Sequence, residues 1–312
     1  MLKPIIPFEP ILAKSIPTGS SWVAQVKWDG VRILTYYDGF TVSLFNRKLN
    51  QRMLQFPELM DIKRLYSAFS VILDGEVIAL KNGKPSFFEV MKRDSARKTT
   101  NITHIKCLTP IIYMVFDILF YNDKWVLDLP LQDRRKILKK IIIPQEKVQQ
   151  VENFADGDSL YQAIKEKELE GIVCKDLRSS YIINGKDSRW QKIKNYHDVI
   201  ATIGGFTVND QTINALLLGL FDKERKFHYI GHTGSGKIPQ REWAILTQKL
   251  QALIISDCPY VSKPEKLTNT YWIEPLINAK IKFMEWTPGR LLRHPTLQGL
   301  VNNTEELYPF NN

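Results

Sequence analysis

Cysteine is scarce in this chain. Three occur, Cys107, Cys174 and Cys258, widely spaced, odd in number and without a CxxC pair. That pattern excludes a disulfide framework and the usual zinc spacings, and it suits a reducing compartment. Long apolar runs are also missing. The longest, Ile111 to Tyr121, is broken by Asp117 and falls short of the ~20 residues of a membrane helix. The stretch from Met1 to Pro17 carries four prolines and no apolar core, which excludes a secretory leader. Internal repeats and low-complexity tracts are absent. These absences predict a soluble, cytoplasmic protein that does not contact a membrane. Acidic residues are in deficit, 33 against 43 Lys and Arg, for a formal charge of +10. Such an excess points to a polyanionic partner, nucleic acid before others.

A length of 312 residues suits two modest domains. The first part predicts strands with intervening helices. Trp22 to Val26, Val31 to Tyr37 and Phe40 to Phe45 read as strands, the last two joined at the hairpin signal Asp38-Gly39. Val71 to Leu80 and Ile111 to Phe120 are apolar and β-rich. Pro130 to Ile141 and Asp158 to Lys167 read as helices, the second capped by Asp156 or Asp158. Short strands follow at Ile172 to Lys175 and Trp190 to Ile193. Beyond Lys194 the pattern changes to short strands with glycine turns and one helix, Gln240 to Leu253, as in a small β-barrel. The boundary is placed at 195/196. Residues 1–195 hold 31 Lys and Arg against 22 Asp and Glu, whereas residues 196–312 hold 12 against 11. The basic excess therefore lies in the first domain. Lys92, Arg93, Arg97 and Lys98 form one cluster there, and Arg134, Arg135, Lys136, Lys139 and Lys140 another. Each is either a solvated face or a set of phosphate contacts.

The segment Lys27-Trp28-Asp29-Gly30-Val31-Arg32 follows a strand and opens a turn. A lysine held there beside a carboxylate and a guanidinium is a candidate nucleophile, since desolvation and nearby cations favour its neutral, reactive form. Arg32 could clamp a carboxylate or a phosphate with two parallel hydrogen bonds. The plain alternative is a surface lysine ahead of an Asp-Gly turn. Glu76 is either a polar position on a half-buried strand or a ligand for ribose or metal. Phe116 lies in an apolar strand and is a core residue by default. Glu170 follows a helix end, where the helix dipole does not favour a carboxylate. Lys192 and Lys194 alternate along a strand and face one side, an arrangement that suits a shared anion such as a triphosphate.

The Lys27 segment resembles the nucleotidyl-lysine motif KxDGxR of the ATP-dependent ligase and capping-enzyme superfamily. Five further segments resemble that family in the same order: Asn46-Arg47, Leu73-Asp74-Gly75-Glu76, Val115-Phe116-Asp117-Ile118-Leu119, Glu170-Gly171-Ile172-Val173-Cys174-Lys175 (EGxVxK) and Trp190-Gln191-Lys192-Ile193-Lys194 (WxKxK). Leu129-Pro130-Leu131-Gln132-Asp133-Arg134-Arg135 resembles the "pLxxRR" helix start of bacterial DNA ligases. Gly231 to Gly236 and Leu292-Arg293-His294-Pro295 resemble the OB domain in end-joining ligases of the ligase D type. The resemblance implies an α+β protein. Residues 1–195 would form a nucleotidyltransferase (adenylation) domain of ATP-grasp-like antiparallel sheets with helices, and residues 196–312 an OB-fold β-barrel. It implies a stand-alone two-domain ligase, a monomer, that seals nicked double-stranded DNA.

The roles it implies are specific. Lys27 would carry AMP, with Asp29 beside it. Arg47 and Glu76 would contact ribose, Phe116 would stack on adenine, and Arg32, Lys192 and Lys194 would complete the ATP site. Glu76 and Glu170 would hold Mg²⁺ or Mn²⁺. A Ku-like end-binding protein is among the partners the resemblance admits. Two departures stand out. Gln25 replaces the usual Glu, and its amide can still meet the adenine amino group. After Gly299-Leu300 the chain reads Val301-Asn302-Asn303-Thr304 where relatives carry a basic RxDK-like segment, so self-adenylylation would slow unless Arg290 or Arg293 substitutes. An RNA ligase, a capping-type nucleotidyltransferase and a weakened nick-binding protein are the alternatives.

Overall fold

The computed structural model describes residues 2–61, 66–143, 145–209, 212–236, 238–264, 268–301 and 306–310. The chain divides into two compact units, Met1–Asn195 and Tyr196–Asn312.

The first unit contains strands β1 (Ile11–Leu12), β2 (Trp22–Val26), β3 (Val31–Tyr37), β4 (Val42–Asn46), β5 (Val71–Lys81), β6 (Lys84–Pro85), β7 (Ile111–Tyr121), β8 (Lys124–Trp125), β9 (Val148–Gln150), β10 (Gly171–Asp176) and β11 (Trp190–Lys194). Its helices are α1 (Phe87–Asp94), α2 (Thr99–Leu108), α3 (Leu131–Ile141) and α4 (Gly157–Glu166). Seven strands form one sheet in the order β4-β3-β5-β7-β8, with β6 on β5 and β9 on β7. A second, four-stranded sheet runs β1-β11-β10-β2.

The larger sheet is buried on both faces, which explains its apolar strands. Along β3, Ile33 and Tyr37 enter a core with Leu44, Val71, Val115, Leu138 and Ile141. Leu34 and Tyr36, one residue out of phase, enter another with Phe8, Ile72, Tyr181 and Trp190. The small sheet packs its Ala24, Ile172, Cys174 and Ile193 against Leu160 and Ile164 of α4. Strand alternation then turns Gln25, Val173, Lys175, Trp190 and Lys192 to the opposite face. Of the two caps considered for α4, the structure selects Asp156, whose side chain accepts from the Ser159 N–H at 3.0 Å.

Helices α1 and α2 had no counterpart in the sequence reading. The signal for α1 was the capping box Ser86-Phe87-Phe88-Glu89, in which Ser86 accepts from the Glu89 N–H at 3.4 Å. Two members of the basic clusters also need correction. Arg93 and Arg134 are fully buried, so neither belongs to a solvated face or a phosphate site. Arg93 pairs with Glu58 at 2.8 Å and donates to the Gln55 and Thr109 carbonyls. Arg134 grips Asp117 with two bonds of 2.8 and 2.9 Å and donates to the Leu129 and Ser179 carbonyls. These guanidiniums fasten loops to the core instead of meeting a ligand.

The second unit adds β12 (His197–Asn209), β13 (Thr212–Phe221), β14 (Phe227–Thr233), β15 (Ile254–Ile255), β16 (Thr270–Phe283), β17 (Thr296–Val301) and helix α5 (Gln240–Gln251). The sheet order is β14-β13-β12-β16-β15, with β17 on β16. A bulge between Ile203 and Gly205 bends β12 against both neighbours. At Gly204 a side chain would strike the Phe227 ring, so the bend needs glycine there. Helix α5 inserts Trp243, Leu246 and Leu250 into the core, and the Trp243 indole donates to the Ile213 carbonyl at 3.3 Å. Asn302, Asn303 and Thr304, which carry the C-terminal departure, lie outside the described residues. Among the described residues no helix is long and apolar enough to cross a membrane.

Candidate active site

A cleft of about 590 Å³ opens in the first unit between the two sheets, a size suited to a nucleotide. The small sheet supplies Gln25, Lys27, Val173, Lys175, Trp190 and Lys192 to its wall, and the large sheet supplies Arg32, Glu76 and Phe116. Arg47, just after β4, sits on its rim and pairs with Glu9 at 2.9 Å. Seven of the residues singled out in the sequence thus line one cavity: Gln25, Lys27, Arg32, Arg47, Glu76, Phe116 and Lys192.

Lys27 follows the end of β2, and its N–H is fixed to the Gly171 carbonyl at 2.9 Å. Its Nζ lies 2.6 Å from Glu170 Oε2, and Lys194 Nζ lies 3.6 Å from Glu170 Oε1. Glu170 and Lys194 therefore join the site at the amine, outside the cleft wall. Gly171 adopts φ +149° with the Ile193 carbonyl pressed against it, a conformation and a clearance that only glycine supplies. Gly30 has a different reason. A side chain there would collide with the Val77 carbonyl, so the glycine of the Lys27 segment serves the close approach of this loop to β5. Asp29 lies in the same loop and adds its charge to the surroundings of Glu76.

Glu76 pairs with Arg32 across β5 and β3. Burial pushes its carboxyl up to about 8; Lys27 and Arg32 pull it down, and Glu170 and Asp29 oppose them. Of the two partners considered for Arg32, the structure selects the carboxylate. Its Nε and Nη2 meet the two oxygens of Asp74 at 2.8 and 2.6 Å, and Nη1 donates to the Phe8 carbonyl at 2.6 Å. Asp74 is fully buried and also accepts from the Tyr181 hydroxyl at 2.9 Å. Arg32 therefore forms a fixed wall of the cleft, with its guanidinium 5.3 Å from the Phe116 ring centre.

Phe116 is half-buried and meets Trp190 edge-on, with ring centres 5.9 Å apart. Between these rings lies Lys175, a site residue that the sequence did not single out. Its Nζ is 4.2 Å from the Phe116 centroid and 3.8 Å from that of Trp190. The residue is 2% exposed, and its amine has no hydrogen-bond partner among the described residues. Burial pushes that amine well below the usual lysine range. Its position as the last residue of EGxVxK was the signal available. Burial, with Lys27 and Lys194 close by, also lowers Lys192. One end of the cleft thus carries aromatic faces, an amide and a buried amine; the other carries Lys27, Lys192, Lys194 and two carboxylates.

Comparison with known proteins gives these residues a context. The family model described as ATP dependent DNA ligase domain matches residues 7–194, and that described as ATP dependent DNA ligase C terminal region matches residues 209–303. The chain is 32% identical over 207 residues to the SPbeta prophage-derived DNA ligase-like protein LigB of Bacillus subtilis, covering 64% of this chain and 72% of that protein. It is 26% identical over 288 residues to the multifunctional non-homologous end joining DNA repair protein LigD of Mycobacterium tuberculosis, covering 90% of this chain and 36% of that protein. The chain thus spans about a third of the length of that second relative. The crystal structure of the ligase domain from M. tuberculosis LigD superposes with a TM-score of 0.54 at 23% identity, covering 96% of both chains, which shows a shared fold. Family matches over both units, the fold of a nucleotidyltransferase domain followed by an OB-fold domain, and the six motifs in order place this chain in the ATP-dependent DNA ligase family.

Proposed function

We propose that this chain seals nicks in duplex DNA with ATP, through AMP carried on Lys27 Nζ. The observation that carries this reading is the Lys27 amine, held against Glu170 at the cationic end of a nucleotide-sized cleft. In the first step Lys27 Nζ attacks the α-phosphorus of ATP. A P–N bond forms, the bond to pyrophosphate breaks, and the amine loses a proton for which Glu170 Oε2, 2.6 Å away, is the adjacent acceptor. Lys192 and Lys194 stabilise the negative charge on the phosphate in the transition state. In the second step the 5′-phosphate at the nick displaces Lys27 and takes AMP. In the third, the 3′-hydroxyl attacks that phosphorus and AMP leaves.

At the other end of the cleft Phe116 stacks on adenine and Gln25 receives its amino group, while Glu76 and Arg47 meet the ribose. Asp29 contributes charge close to Glu76. Mg²⁺ or Mn²⁺ fits beside Lys27, where Glu76 and Glu170 offer hard oxygen donors. Among the described residues no third His, Cys, Asp or Glu completes a protein-only site. That suits an ion which takes its other ligands from phosphate and water. Once bound, such an ion neutralises charge on the transferring phosphate. The end-joining name of the LigD relative supports a place in DNA repair; a Ku-like partner and action in the cytoplasm belong to the same proposal.

Incubation with α-labelled ATP and divalent metal, followed by nicked duplex, tests the proposal. A labelled protein band that discharges on nicked DNA is expected. No band and no sealing would overturn it, whereas labelling by GTP or discharge onto RNA alone would favour a capping-type enzyme or an RNA ligase. One observation favours a variant of this reading. Arg293, a candidate to replace the missing basic segment, has its Nη1 on Glu285 at 2.5 Å. Unless Arg290 substitutes, step one is then slow, while sealing of pre-adenylylated nicks persists. Single-turnover rates on the two substrates separate these cases, and equal impairment of both sinks the variant.

A further inference from the structure

Glu9 lies in the wall of the cleft, and its carboxylate sits among cations. Its Oε1 meets Arg47 Nη1 at 2.9 Å, and its Oε2 lies 3.9 Å from Lys186 Nζ. Lys192 belongs to the same group. Burial, Lys27 and Lys194 depress its amine, Glu9 opposes that fall, and Lys186 adds to it. Three cations thus share one carboxylate. Lys186 belongs to none of the six motifs and enters the site only through this cluster.

The backbone holds this group together. Phe8 is buried against Tyr181 and Trp190, with ring centres 6.1 and 5.2 Å away. Its N–H donates to the Tyr181 hydroxyl at 2.8 Å, and its carbonyl accepts from Arg32 Nη1 at 2.6 Å. The Glu9 N–H donates to the Gly185 carbonyl at 2.8 Å. A side chain at Gly185 would strike the Phe8 ring, so the loop that carries Lys186 needs glycine to come this close. Pro7 and Pro10 fix φ on either side of residues 8 and 9, and β1 then runs parallel to β11 with Leu12 beside Lys192. The side chains themselves are easily exchanged. Those of Glu9, Arg47 and Lys186 are 29, 57 and 60% exposed, and ion pairs in contact with water are worth little.

A guanidinium grips carboxylate and phosphate with the same fork, and a phosphate monoester carries up to about two charges where a carboxylate carries one. We propose that Glu9 is a built-in stand-in for a substrate phosphate: it keeps Arg47, Lys186 and Lys192 grouped in the unliganded protein and is displaced when a phosphate group binds between them. This rests on the reading of the cleft as the site of ATP and nick chemistry. The incoming group is a phosphate of the nucleotide or the 5′-phosphate of the nick, which present the same anion to the same cations. Glu9 is a like charge that has to move aside, so it lowers the affinity for that ligand. It closes on the cations again when the ligand leaves.

Equilibrium binding to the full chain in EDTA, where no adenylylation occurs, tests this apart from the role of Lys27. One ligand is ATP. The other is nicked duplex with a 5′-phosphate, compared with the same duplex carrying a 5′-hydroxyl. Glu9→Gln keeps the shape of the side chain and removes its charge. At about 50 mM salt it should tighten ATP, or widen the preference for the 5′-phosphate, by about threefold to tenfold, the size of one like-charge contact near water. A gain with ATP assigns the subsite to the nucleotide, and a gain with the 5′-phosphate assigns it to the nick. The gain should fade by about 500 mM salt, where the Debye length falls below ~5 Å. Glu9→Asp keeps the charge and should stay within about twofold of the wild type. Lys186→Gln should weaken the ligand that Glu9→Gln strengthens. A Glu9→Gln protein that tightens neither ligand, or one whose gain persists at high salt, overturns the proposal, because Glu9 then only orients its neighbours. No binding of either ligand by either protein would overturn it together with the reading of the cleft, whereas equal binding by the two proteins overturns this inference alone.

Discussion

At the scale of single residues, the site joins groups of opposite cost. Lys27 is a nucleophile only if it can lose its proton. Lys27→Arg keeps the charge but presents a guanidinium that does not deprotonate, so no labelled adduct should form with ATP while the melting temperature stays near that of the wild type. Asp74→Asn should be costly to the fold. It breaks a pair whose carboxylate is fully buried, and a loss of about 3–5 kcal/mol is expected in urea unfolding. Lys175 works in the other direction. Its amine is buried without a partner, so Lys175→Met should unfold at higher urea while binding ATP more weakly. The pH dependence has a definite sign. Folding lowers the proton affinity of Lys175, so the unfolded chain binds the extra proton and the wild type gains stability as pH rises toward the ordinary lysine value of 10.5. The advantage of Lys175→Met should therefore shrink between pH 7 and pH 10. Equal slopes for the two proteins would contradict this. Chemical type was readable for all these residues in the sequence, but the unpaired state of Lys175 was not, because it follows from two rings contributed by strands β7 and β11.

At the scale of elements, strand periodicity was the most legible feature. β2, β3, β10 and β11 carry alternating positions whose two faces have different surroundings, and Lys192 and Lys194 do point to one side as alternation requires. The strands β5 and β7 were apparent as apolar runs because both faces of their sheet are covered. Helix α1 was hidden for a physical reason: its basic residues suggested an exposed cluster, whereas it turns Arg93 inward against Glu58. Ser86→Ala removes the cap of α1 and should cost about 1 kcal/mol in unfolding. Gly171→Ala strikes harder, since it forces both a strained φ and a collision with β11. A loss of about 1–3 kcal/mol is expected, with a matching fall in self-labelling because Glu170 moves with that strand.

For the whole molecule, charge distribution sets how the two half-reactions respond to salt. The excess of Lys and Arg lies in residues 1–195. Nick binding and sealing should fall steeply between 50 and 200 mM salt, on the order of 10³-fold if about six phosphates are contacted, while self-labelling by ATP should change little. A similar salt response of both steps would argue against a broad phosphate-binding face. The order of the six motifs, the accepting and donating chemistry of their side chains and the strand periods were determined by sequence alone, because they depend on residue identity and local spacing. Tertiary structure decided which charges are spent inside the fold and which remain for a ligand. Arg93, Arg134 and Arg32 are engaged by Glu58, Asp117 and Asp74 at separations of 35, 17 and 42 residues. Such pairings arise only when distant strands are brought into register, since desolvation and partner geometry are properties of the packed chain.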